Sequence, residues 1–363
     1  MRTILLSLLL AADLCAQANG KLQLHFIDAG QGDAAILISP GGQVAAFDIG
    51  RDMVSQNCDK PLAYYNLLGI RQLDYLFVSH YHEDHIGCVP NLLSWARPPQ
   101  VEDRGQSYDS TYYTAYAAAT LGKRATPLVG DTFVLDASSP NPVTIQVFAV
   151  NANGAGTTDE DSVSLSARIG YGGFRAEIGG DLTGENSDGY IDVESGVAAA
   201  IGKLDVYKVH HHCSSSSSNT AWLTLTSPTI AIVSAGDGNT YGHPTAECLA
   251  RLHSAGTRTY WTELGAGAAP VPGWDTVAGT AVVTVDLATM QYAVAYGTNT
   301  DVYSIGSGPA SAPATPTYAW SKHSNEYHYI DCNYVKSISP DNLQTGNVPP
   351  AGKTLHHDCP APR

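Results

Sequence analysis

The stretch His80–His85, which reads HYHEDH, places three histidines and two carboxylates within six residues. It directly follows the apolar run Leu73–Ser79 (LDYLFVS), which predicts a buried strand, and a strand end is where α/β proteins commonly place a site. Imidazole and carboxylate groups suit zinc and its neighbours. We expect the first two histidines to bind one metal ion, and Asp84 and His85 to bind a second. A polar loop without ligands is the alternative.

Further metal-binding side chains follow later predicted strands. Asp181 comes after the strand Phe174–Ile178, where a carboxylate could bridge two metal ions. The run His210–His212 follows the strand Leu204–Val209, an internal position that favours ligation over a terminal tag. His243 lies in a YGHP sequence, a tight-turn pattern that is expected to expose it. A turn aspartate and a surface histidine are the alternative interpretations of Asp181 and His243.

The remaining pattern predicts strands first, joined by short turns, and then strands mixed with helices. Further strands are predicted at Leu22–Asp28, Ala34–Ser39, Gln43–Asp48, Val143–Val150, Ser162–Ile169, Thr229–Ser234 and Arg258–Thr262. Helical segments are predicted at Asn66–Ile70, Pro90–Ala96, Val193–Ile201 and Thr245–Ala255. This order favours two packed sheets with helices outside them.

Composition limits the classes of function. The 363 residues, 44% of them hydrophobic, can bury a large core. The formal net charge of −15 argues against a protein that holds nucleic acid through many Lys and Arg contacts to phosphate. It does not exclude a nuclease, because metal ions can supply the positive charge at the reacting phosphate.

The two ends of the chain differ from its middle. Residues 1–18 resemble a secretory signal peptide, with an apolar core at Ile4–Ala12 and an A-x-A cleavage pattern, so we expect a secreted protein, extracellular or periplasmic. We expect no integral membrane segment in the mature chain. A main domain would occupy residues 19–300, a Pro/Ala/Ser linker 301–317, and a small Cys/His-containing module 318–363.

Seven cysteines occur, of which Cys15 lies in the predicted signal peptide. An even number in an exported chain favours disulfides. The predicted pairs are Cys58–Cys88, Cys213–Cys248 and Cys332–Cys359; unpaired thiols are the alternative. In the C-terminal module, a zinc site of His328, Cys332, Cys359 and either His356 or His357 is a second alternative.

The motifs, taken together, resemble those of the metallo-β-lactamase superfamily, and in particular its ComEC-like secreted metallo-hydrolase branch. Besides the H-x-H-x-D-H stretch, the matching segments are Asp161–Val163, Gly172–Arg175, Gly180–Leu182, Val209–Ser218 and Tyr241–Pro244. The resemblance covers roughly Leu22–Leu264. It implies an α+β fold, an αββα sandwich, followed here by the small C-terminal module.

The resemblance also implies roles for individual residues. His80 and His82 would bind metal one, Asp84, His85 and His211 metal two, and Asp181 would bridge them. His212 is the alternative to His211 as a ligand of metal two. If it is not a ligand, it would lie behind the ligands and orient them, as Asp48 would.

One feature departs from the superfamily pattern, because no histidine occurs between His85 and His210. Metal one would then be completed by water or by Ser162, or a single ion would bind. We expect one or two divalent ions, with zinc as the first expectation and manganese as the alternative. The missing histidine also argues against an ordinary β-lactamase.

The implied chemistry is hydrolysis by a hydroxide whose pKa the metal lowers. Asp84 would orient the hydroxide, His243 would contact the scissile phosphate or protonate the leaving oxygen, and Ser214 and Ser215 would bind phosphate oxygens. The segment Tyr108–Tyr116 would either stack on bases or bury its rings in a helix.

Three functions compete. The first is a phosphodiesterase or nuclease that acts on DNA or RNA. The second is a hydrolase of lactones, esters or β-lactams. The third is a non-enzymatic zinc-dependent binding protein. No obligate protein partner is evident from the sequence.

Overall fold

The computed structural model describes residues 18–97, 100–187, 189–309, 318–329, 332–346, 350, 352–356 and 359. The chain divides into two compact units, Met1–Ala310 and Ser311–Arg363. Most of the predicted signal peptide and residues 310–317 of the predicted linker lie outside the described residues. No helix in the described part of the chain has the length and apolar character that crossing a bilayer requires.

The first unit contains two sheets. The nine-stranded sheet has the order β17-β16-β15-β1-β2-β3-β4-β5-β6, and the eight-stranded sheet has the order β14-β13-β12-β11-β10-β9-β8-β7. The strands are β1 Leu22–Phe26, β2 Ala34–Ile38, β3 Val44–Ile49, β4 Tyr75–Phe77, β5 Gln100–Glu102, β6 Arg124–Ala125, β7 Thr132–Leu135, β8 Val143–Ala149, β9 Ser166–Tyr171, β10 Phe174–Ile178, β11 Val206–Lys208, β12 Ile230–Val233, β13 Arg258–Trp261, β14 Asp275–Val277, β15 Ala281–Asp286, β16 Gln291–Tyr296 and β17 Asn299–Ser304.

The two sheets pack face to face because their strands alternate between two apolar environments. In β3, Ala45 and Phe47 point into the core that both sheets share, where they meet residues such as Ile145 of β8. Val44 and Ala46, one residue out of phase, point the other way into a core covered by helices. Successive side chains of a strand face opposite sides of its sheet, so a strand that is apolar on both sides requires a cover on both sides.

Helices cover the outer face of each sheet. The helices are α1 Asp59–Leu67, α2 Glu83–Ile86, α3 Val89–Leu92, α4 Thr111–Ala119, α5 Glu194–Ile201, α6 Thr220–Thr226 and α7 Ala246–Ser254. Tyr65 and Tyr116 pack on the nine-stranded sheet, and Trp222 and Leu249 on the other. The Thr245 hydroxyl begins α7 by accepting a hydrogen bond from the backbone N–H of Cys248. The predicted α+β, αββα sandwich is therefore confirmed.

Several predicted elements differ from those observed. The helix predicted at Asn66–Ile70 instead occupies Asp59–Leu67, and the one predicted at Pro90–Ala96 is the short turn Val89–Leu92. The strand expected to begin at Ser162 begins at Ser166, because the residues before it form a loop. The strands β15 to β17 were not predicted. The last of them, β17, extends to Ser304, so the linker does not begin at residue 301 as predicted.

The predicted disulfide pairing is confirmed for all three pairs. Cys58 bonds to Cys88, and Cys213 bonds to Cys248. The third pair, Cys332–Cys359, lies in the second unit, with the His328 Nδ1 atom 3.3 Å from the Cys359 sulfur. The alternative zinc site of this unit is not what the structure shows, because the two sulfur atoms that it needs are bonded to each other. His357, a candidate in that alternative, lies outside the described residues.

The second unit is a small sheet. Its strands are β18 Tyr318–Ser321, β19 Glu326–Tyr329, β20 Leu343–Gly346 and β21 Thr354–Leu355, in the order β20-β18-β19-β21. The backbone N–H of Cys332 bonds to the carbonyl of Tyr329, which ties the disulfide to the end of β19. A unit of this size buries little apolar surface, so the covalent bond supplies stability that its core cannot.

Candidate metal centre

Parallel strands bring the candidate ligands to one edge of the sandwich. In the first sheet β3 and β4 run parallel, and in the second sheet β10, β11 and β12 run parallel. The stretch His80–His85 follows β4, Asp181 follows β10, and His211 and His212 follow β11. The carboxyl ends of parallel strands share one edge of a sheet, so residues far apart in sequence meet there.

The first group of ligand atoms consists of His80, His82 and Asp161. The Oδ1 atom of Asp161 lies 2.9 Å from Nδ1 of His82 and 3.5 Å from Nε2 of His80. The two histidine nitrogens are 3.0 Å apart. The two histidines were predicted as ligands of metal one, whereas Asp161 was recognised only as part of a matching motif and was given no ligand role.

The second group consists of Asp84, His85, Asp181 and His212. The Nε2 atom of His212 lies 3.1 Å from Oδ2 of Asp84 and 3.5 Å from Oδ2 of Asp181. The Nε2 atom of His85 lies 3.3 Å from Oδ1 of Asp181 and 3.9 Å from Oδ2 of Asp84. Four side chains from three chain segments therefore point at a common centre.

Asp181 lies between the two groups. Its Oδ2 atom is 4.0 Å from Nε2 of His80 and 3.9 Å from Nε2 of His211. His211 also approaches Asp161, with 3.7 Å between its Nε2 and the Oδ2 atom. The geometry thus differs from the expectation for the histidine run, because His212 belongs to the second group and His211 lies towards the first. Both rings lie on one backbone turn, so the sequence alone does not show which ring faces which group.

The chemistry of these atoms fits a metal ion better than it fits hydrogen bonding. Among the ligand atoms of these two groups, four are buried without a hydrogen-bond partner, namely Nε2 of His85, Nε2 of His212, Oδ1 of Asp161 and Oδ1 of Asp181. Buried polar atoms in native proteins are normally paired. Two ligand atoms of one tetrahedral zinc, each about 2.0–2.1 Å from the ion, lie about 3.4 Å apart, close to the separations found here.

The second histidine segment has an unusual backbone. His211, His212 and Cys213 all have positive φ angles, of 48°, 50° and 63°. Residues with a Cβ rarely adopt this conformation, and it occurs at functional sites when the surroundings enforce it. Here the His211 N–H bonds to the carbonyl of Gly180, and the Cys213–Cys248 disulfide anchors the end of the turn to α7.

Asp48, expected behind the ligands, contacts the first histidine segment. Its Oδ2 atom is 2.8 Å from Nδ1 of His85, and its two oxygens accept hydrogen bonds from the backbone N–H and the hydroxyl of Ser79. Burial raises the pKa of Asp48, and the contacts with His85 and Ser79 only partly offset this effect. The carboxylate thus fixes the ring of His85 with Nε2 directed at the second group.

Two contacts bring the loop that carries Asp161 to the first group. The carboxylate of Glu160 accepts a hydrogen bond from the backbone N–H of Tyr81 at 2.8 Å and pairs with buried Arg104. The backbone N–H of Leu165 bonds to the carbonyl of Ser79 at 2.8 Å. The loop is therefore attached to the end of β4 on both sides of Asp161.

Ser162, which was predicted as an alternative ligand of metal one, does not point towards the first group. Its hydroxyl donates to Oδ1 of Asp159 at 2.6 Å and contacts the hydroxyl of Thr183 at 2.8 Å. The sequence did contain a signal for its neighbour. Asp161 is itself the first residue of the Asp-Ser-Val motif and follows the acidic residues Asp159 and Glu160.

Comparison with known proteins identifies the family. The sequence profile of the Metallo-beta-lactamase superfamily matches residues 25–237. The chain belongs to the metallo-beta-lactamase superfamily. Members typically bind divalent metal ions, and the described residues of this member supply candidate sites for them.

Two curated relatives are similar to this superfamily member over about two thirds of its chain. It is 25% identical over 271 residues to ComE operon protein 3 of Bacillus subtilis, an alignment that covers 69% of this chain and 32% of that protein. It is 25% identical over 243 residues to competence protein ComA of Neisseria gonorrhoeae, covering 65% and 30% respectively. The chain thus spans about a third of the length of these relatives.

Among solved structures, human tRNase Z, short form, has a related fold. It is 15% identical with a TM-score of 0.34, and the alignment covers 66% of this chain and 91% of that one. At this identity the likeness concerns the fold alone.

The electrostatics of this metallo-beta-lactamase site favour bound positive charge. Burial alone would lower the pKa of His85, but the carboxylates of Asp181 and Asp84 outweigh it and raise the pKa well above its ordinary value. Burial alone would raise the pKa of Asp84, but His85 and His212 outweigh it and lower the pKa to about 2. Burial, then His85 and His82, lower the pKa of His80, which leaves a neutral imidazole. Neutral imidazole and carboxylate are the forms that bind metal, so an ion at the second group would displace the proton that the carboxylates favour on His85.

A cavity of about 470 Å³ opens beside the two groups, and His243 lines it. The expectation that the turn exposes His243 is not met, since the side chain is only 7% exposed. Asn239 accepts a hydrogen bond from the His243 backbone N–H and donates one to its carbonyl. The Nδ1 atom has no hydrogen-bond partner in the described structure. Burial, then His212 and His211, lower the pKa of His243 to about 3, so the ring is neutral.

The serine run is ordered rather than loose. Arg251 of α7 donates hydrogen bonds to the carbonyls of Ser215, Ser217 and Ser218. The Ser214 hydroxyl contacts that of Ser216, which in turn contacts Nδ1 of His211 at 3.2 Å. Neither Ser214 nor Ser215 lines the cavity. The described geometry therefore connects this run to the orientation of His211, and a role in binding phosphate stays a prediction.

Proposed function

We propose that this chain is a secreted metal-dependent phosphodiesterase that hydrolyses nucleic acid or a related phosphodiester. The observation that carries the proposal is the pair of ligand groups that meet at Asp181 beside an open cavity. Two closely spaced ions suit in-line displacement at phosphorus, because they stabilise both the attacking and the leaving oxygen. The motif resemblance to the ComEC-like branch, together with the similarity to ComE operon protein 3 and to competence protein ComA, supports this choice of substrate.

In this proposal His80, His82, Asp161 and His211 would hold one ion, and Asp84, His85 and His212 would hold the other. Asp181, which lies between the two groups, would serve both. Bound divalent ions would supply a water molecule of lowered pKa and positive charge for the phosphate oxygens. Zinc is the first candidate and manganese the second.

The remaining steps belong to side chains of the protein. His243 faces the cavity with an unpartnered Nδ1 atom, which supports a hydrogen bond to the phosphate or to the leaving oxygen. Asp48 keeps His85 in one orientation through the 2.8 Å contact with Nδ1. Asp84 would accept a hydrogen bond from the attacking water if its free oxygen is not bound to the ion.

Export is part of the proposal. Three disulfides are typical of proteins that fold in an oxidising compartment, and the predicted signal peptide agrees with this location. Mass spectrometry of the protein recovered from the medium or periplasm should find a mature chain that begins at Asn19. Recovery of the uncleaved chain from the cytosol would contradict export.

A second candidate is a hydrolase of lactones, esters or β-lactams. It is favoured by one observation, that none of the described residues lining the cavity is lysine or arginine, so an uncharged substrate would enter easily. Hydrolysis of bis(p-nitrophenyl) phosphate, measured beside nitrocefin and a lactone panel with and without chelator, separates the two. We expect chelator-sensitive turnover of the phosphate ester alone. Turnover restricted to the carbonyl substrates would overturn the proposal.

A further inference from the structure

Three tyrosines surround the candidate metal centre, and each contacts a different histidine of the site. The ring of Tyr108 lies 5.7 Å from that of His82, Tyr190 lies 6.1 Å from His211, and Tyr241 lies 5.7 Å from His243. All three tyrosines line the cavity.

The three rings come from separate parts of the chain. Tyr108 precedes α4, Tyr190 precedes α5, and Tyr241 lies between β12 and α7. None of them is fully buried: Tyr108 packs on the edge of the helix-covered core, and Tyr241 is 54% exposed. Two of the partner histidines, His82 and His211, lie at the first ligand group, and the third, His243, is the proposed phosphate contact. An aromatic collar, defined here as Tyr108, Tyr190 and Tyr241, therefore borders the reaction site.

The charges around the collar exclude one common mode of binding nucleic acid. No lysine or arginine is among the described residues that line the cavity. Arg51, which lies over the ring of Tyr112 at 5.1 Å, is already paired with Glu83 at 2.9 Å. Binding along a duplex depends on many cationic contacts to phosphates. Affinity at this site must come mainly from the metal ions and from the rings.

We propose that the aromatic collar stacks on the unpaired base of a nucleotide whose phosphodiester lies at the metal centre. The inference rests on the proposed function and narrows its substrate to unpaired nucleotides. Aromatic side chains bind unpaired bases by stacking and tolerate any base sequence. The cavity of about 470 Å³ is within the size range of pockets for small ligands and accommodates one or two nucleotides rather than a duplex. In a duplex the bases are stacked on one another and are not free for the collar.

The first test compares two esters with the same leaving group. Thymidine 5′-(p-nitrophenyl phosphate) carries a base, whereas methyl p-nitrophenyl phosphate does not. We expect wild-type protein to prefer the nucleoside ester, and Tyr108→Leu or Tyr190→Leu to lower the ratio of the two kcat/KM values about tenfold, the effect of one lost stacked base. Tyr108→Phe and Tyr190→Phe are matched controls that keep the ring and should keep the ratio. Circular dichroism verifies that each variant is folded.

The outcomes separate the two proposals. If wild-type protein hydrolyses neither ester, the phosphodiesterase proposal fails together with this one. If it hydrolyses both and the leucine variants lower both kcat/KM values equally, stacking is refuted while the phosphodiesterase proposal stands.

A second test uses oligonucleotides. We expect a single-stranded 20-mer or a dinucleotide to be hydrolysed faster than the blunt duplex of the same sequence. If the 20-mer is the faster of the two, the base comes from a strand terminus. If the dinucleotide is faster, the base comes from a free dinucleotide. A duplex hydrolysed as fast as both unpaired substrates would contradict the collar's role.

Discussion

The Oδ1 atom of Asp161 lies 2.9 Å from the Nδ1 atom of His82. A carboxylate therefore stands beside the first histidine pair, where the sequence suggested that a ligand is missing. A group of two imidazoles and one carboxylate still suits zinc, and its oxygen content also admits manganese. The contact gives the metal centre its most specific test at a single residue.

Asp161→Ala should remove the ion of the first group. The substitution removes the carboxylate that lies closest to His80 and His82, so we expect the metal content to fall by about one ion per chain, as measured by inductively coupled plasma mass spectrometry. Ser162→Ala is the matched control, because its hydroxyl bonds to Asp159 and Thr183 and its loss should leave the metal content unchanged. Metal loss in the serine variant with none in the aspartate variant would reverse the assignment.

Asp48→Asn should weaken metal binding without unfolding the protein. Asp48 has a φ angle of 48°, a conformation that asparagine tolerates well, so the backbone is not strained further. Loss of the carboxylate at Nδ1 of His85 should raise the Kd for the metal about 10- to 100-fold, as is usual for partners of ligand histidines. Competition with a chelator of known affinity measures this change. An unchanged Kd would show that Asp48 does not orient His85.

His243→Ala should lower turnover and leave the metal content unchanged. The ring faces the cavity, and none of the metal-binding groups found among the described residues includes it. We expect kcat for the phosphodiester reporter to fall about 10²- to 10³-fold, the range for a lost hydrogen-bond donor to the developing negative charge. His243→Gln, which keeps a hydrogen-bond donor, should lose less. Loss of an ion from either variant would instead make His243 a ligand.

The Cys213–Cys248 disulfide should stabilise the second histidine segment. Replacing both cysteines by serine removes a crosslink over 35 residues, which costs about 2–4 kcal/mol of unfolding free energy. Since the bond anchors the turn that holds His211 and His212, metal affinity should fall as well. Removing Cys58–Cys88 is the control, and we expect a similar loss in urea unfolding with a smaller effect on affinity. Equal effects on affinity would argue that the turn needs no anchor.

His25 should make the fold sensitive to acid. Burial on β1 lowers its pKa from 6.5 to about 4. His25 is therefore protonated below pH 6.5 in the unfolded chain but only below about pH 4 in the folded chain. The contribution of His25 to the free energy of unfolding is complete above pH 6.5. It decreases by about 3 kcal/mol as the pH falls towards 4.

The measurement for His25 is a comparison of unfolding curves. His25→Phe keeps a ring in place and removes the titration, so its urea unfolding free energy should fall less between pH 7 and pH 4 than that of the wild type. Tyr64, the hydrogen-bond partner of His25, is the control position, and Tyr64→Phe should keep the acid sensitivity. Parallel declines in wild type and His25→Phe would refute the assignment.

The sequence predicted those parts of the site that follow strands. His80–His85 and Asp181 could be found because each follows an apolar strand closely, β4 in one sheet and β10 in the other, and strand ends commonly carry a site. The fold class followed from the same strands and from the motif resemblance. The sequence could not show whether His211 or His212 belongs to the second group, because this depends on three consecutive positive φ angles that no sequence pattern predicts.

Asp161 and His243 were harder for a different physical reason. Asp161 lies in a loop, and its position depends on long-range bonds such as Leu165 N–H to the Ser79 carbonyl, which cross from one sheet to the other. His243 was expected at the surface because its turn sequence is typical of exposed loops. Its burial depends on Asn239, whose side chain holds the backbone of the turn from within the same loop. Local patterns do not encode contacts of this kind.

The most direct test of the account is the metal content of the folded protein. Wild-type chain, equilibrated with zinc or manganese and then desalted, should contain two divalent ions per chain, and Asp181→Ala at most one, since Asp181 lies between both ligand groups. A wild-type chain that retains no divalent ion, or an Asp181→Ala variant that retains two, would contradict the proposed centre.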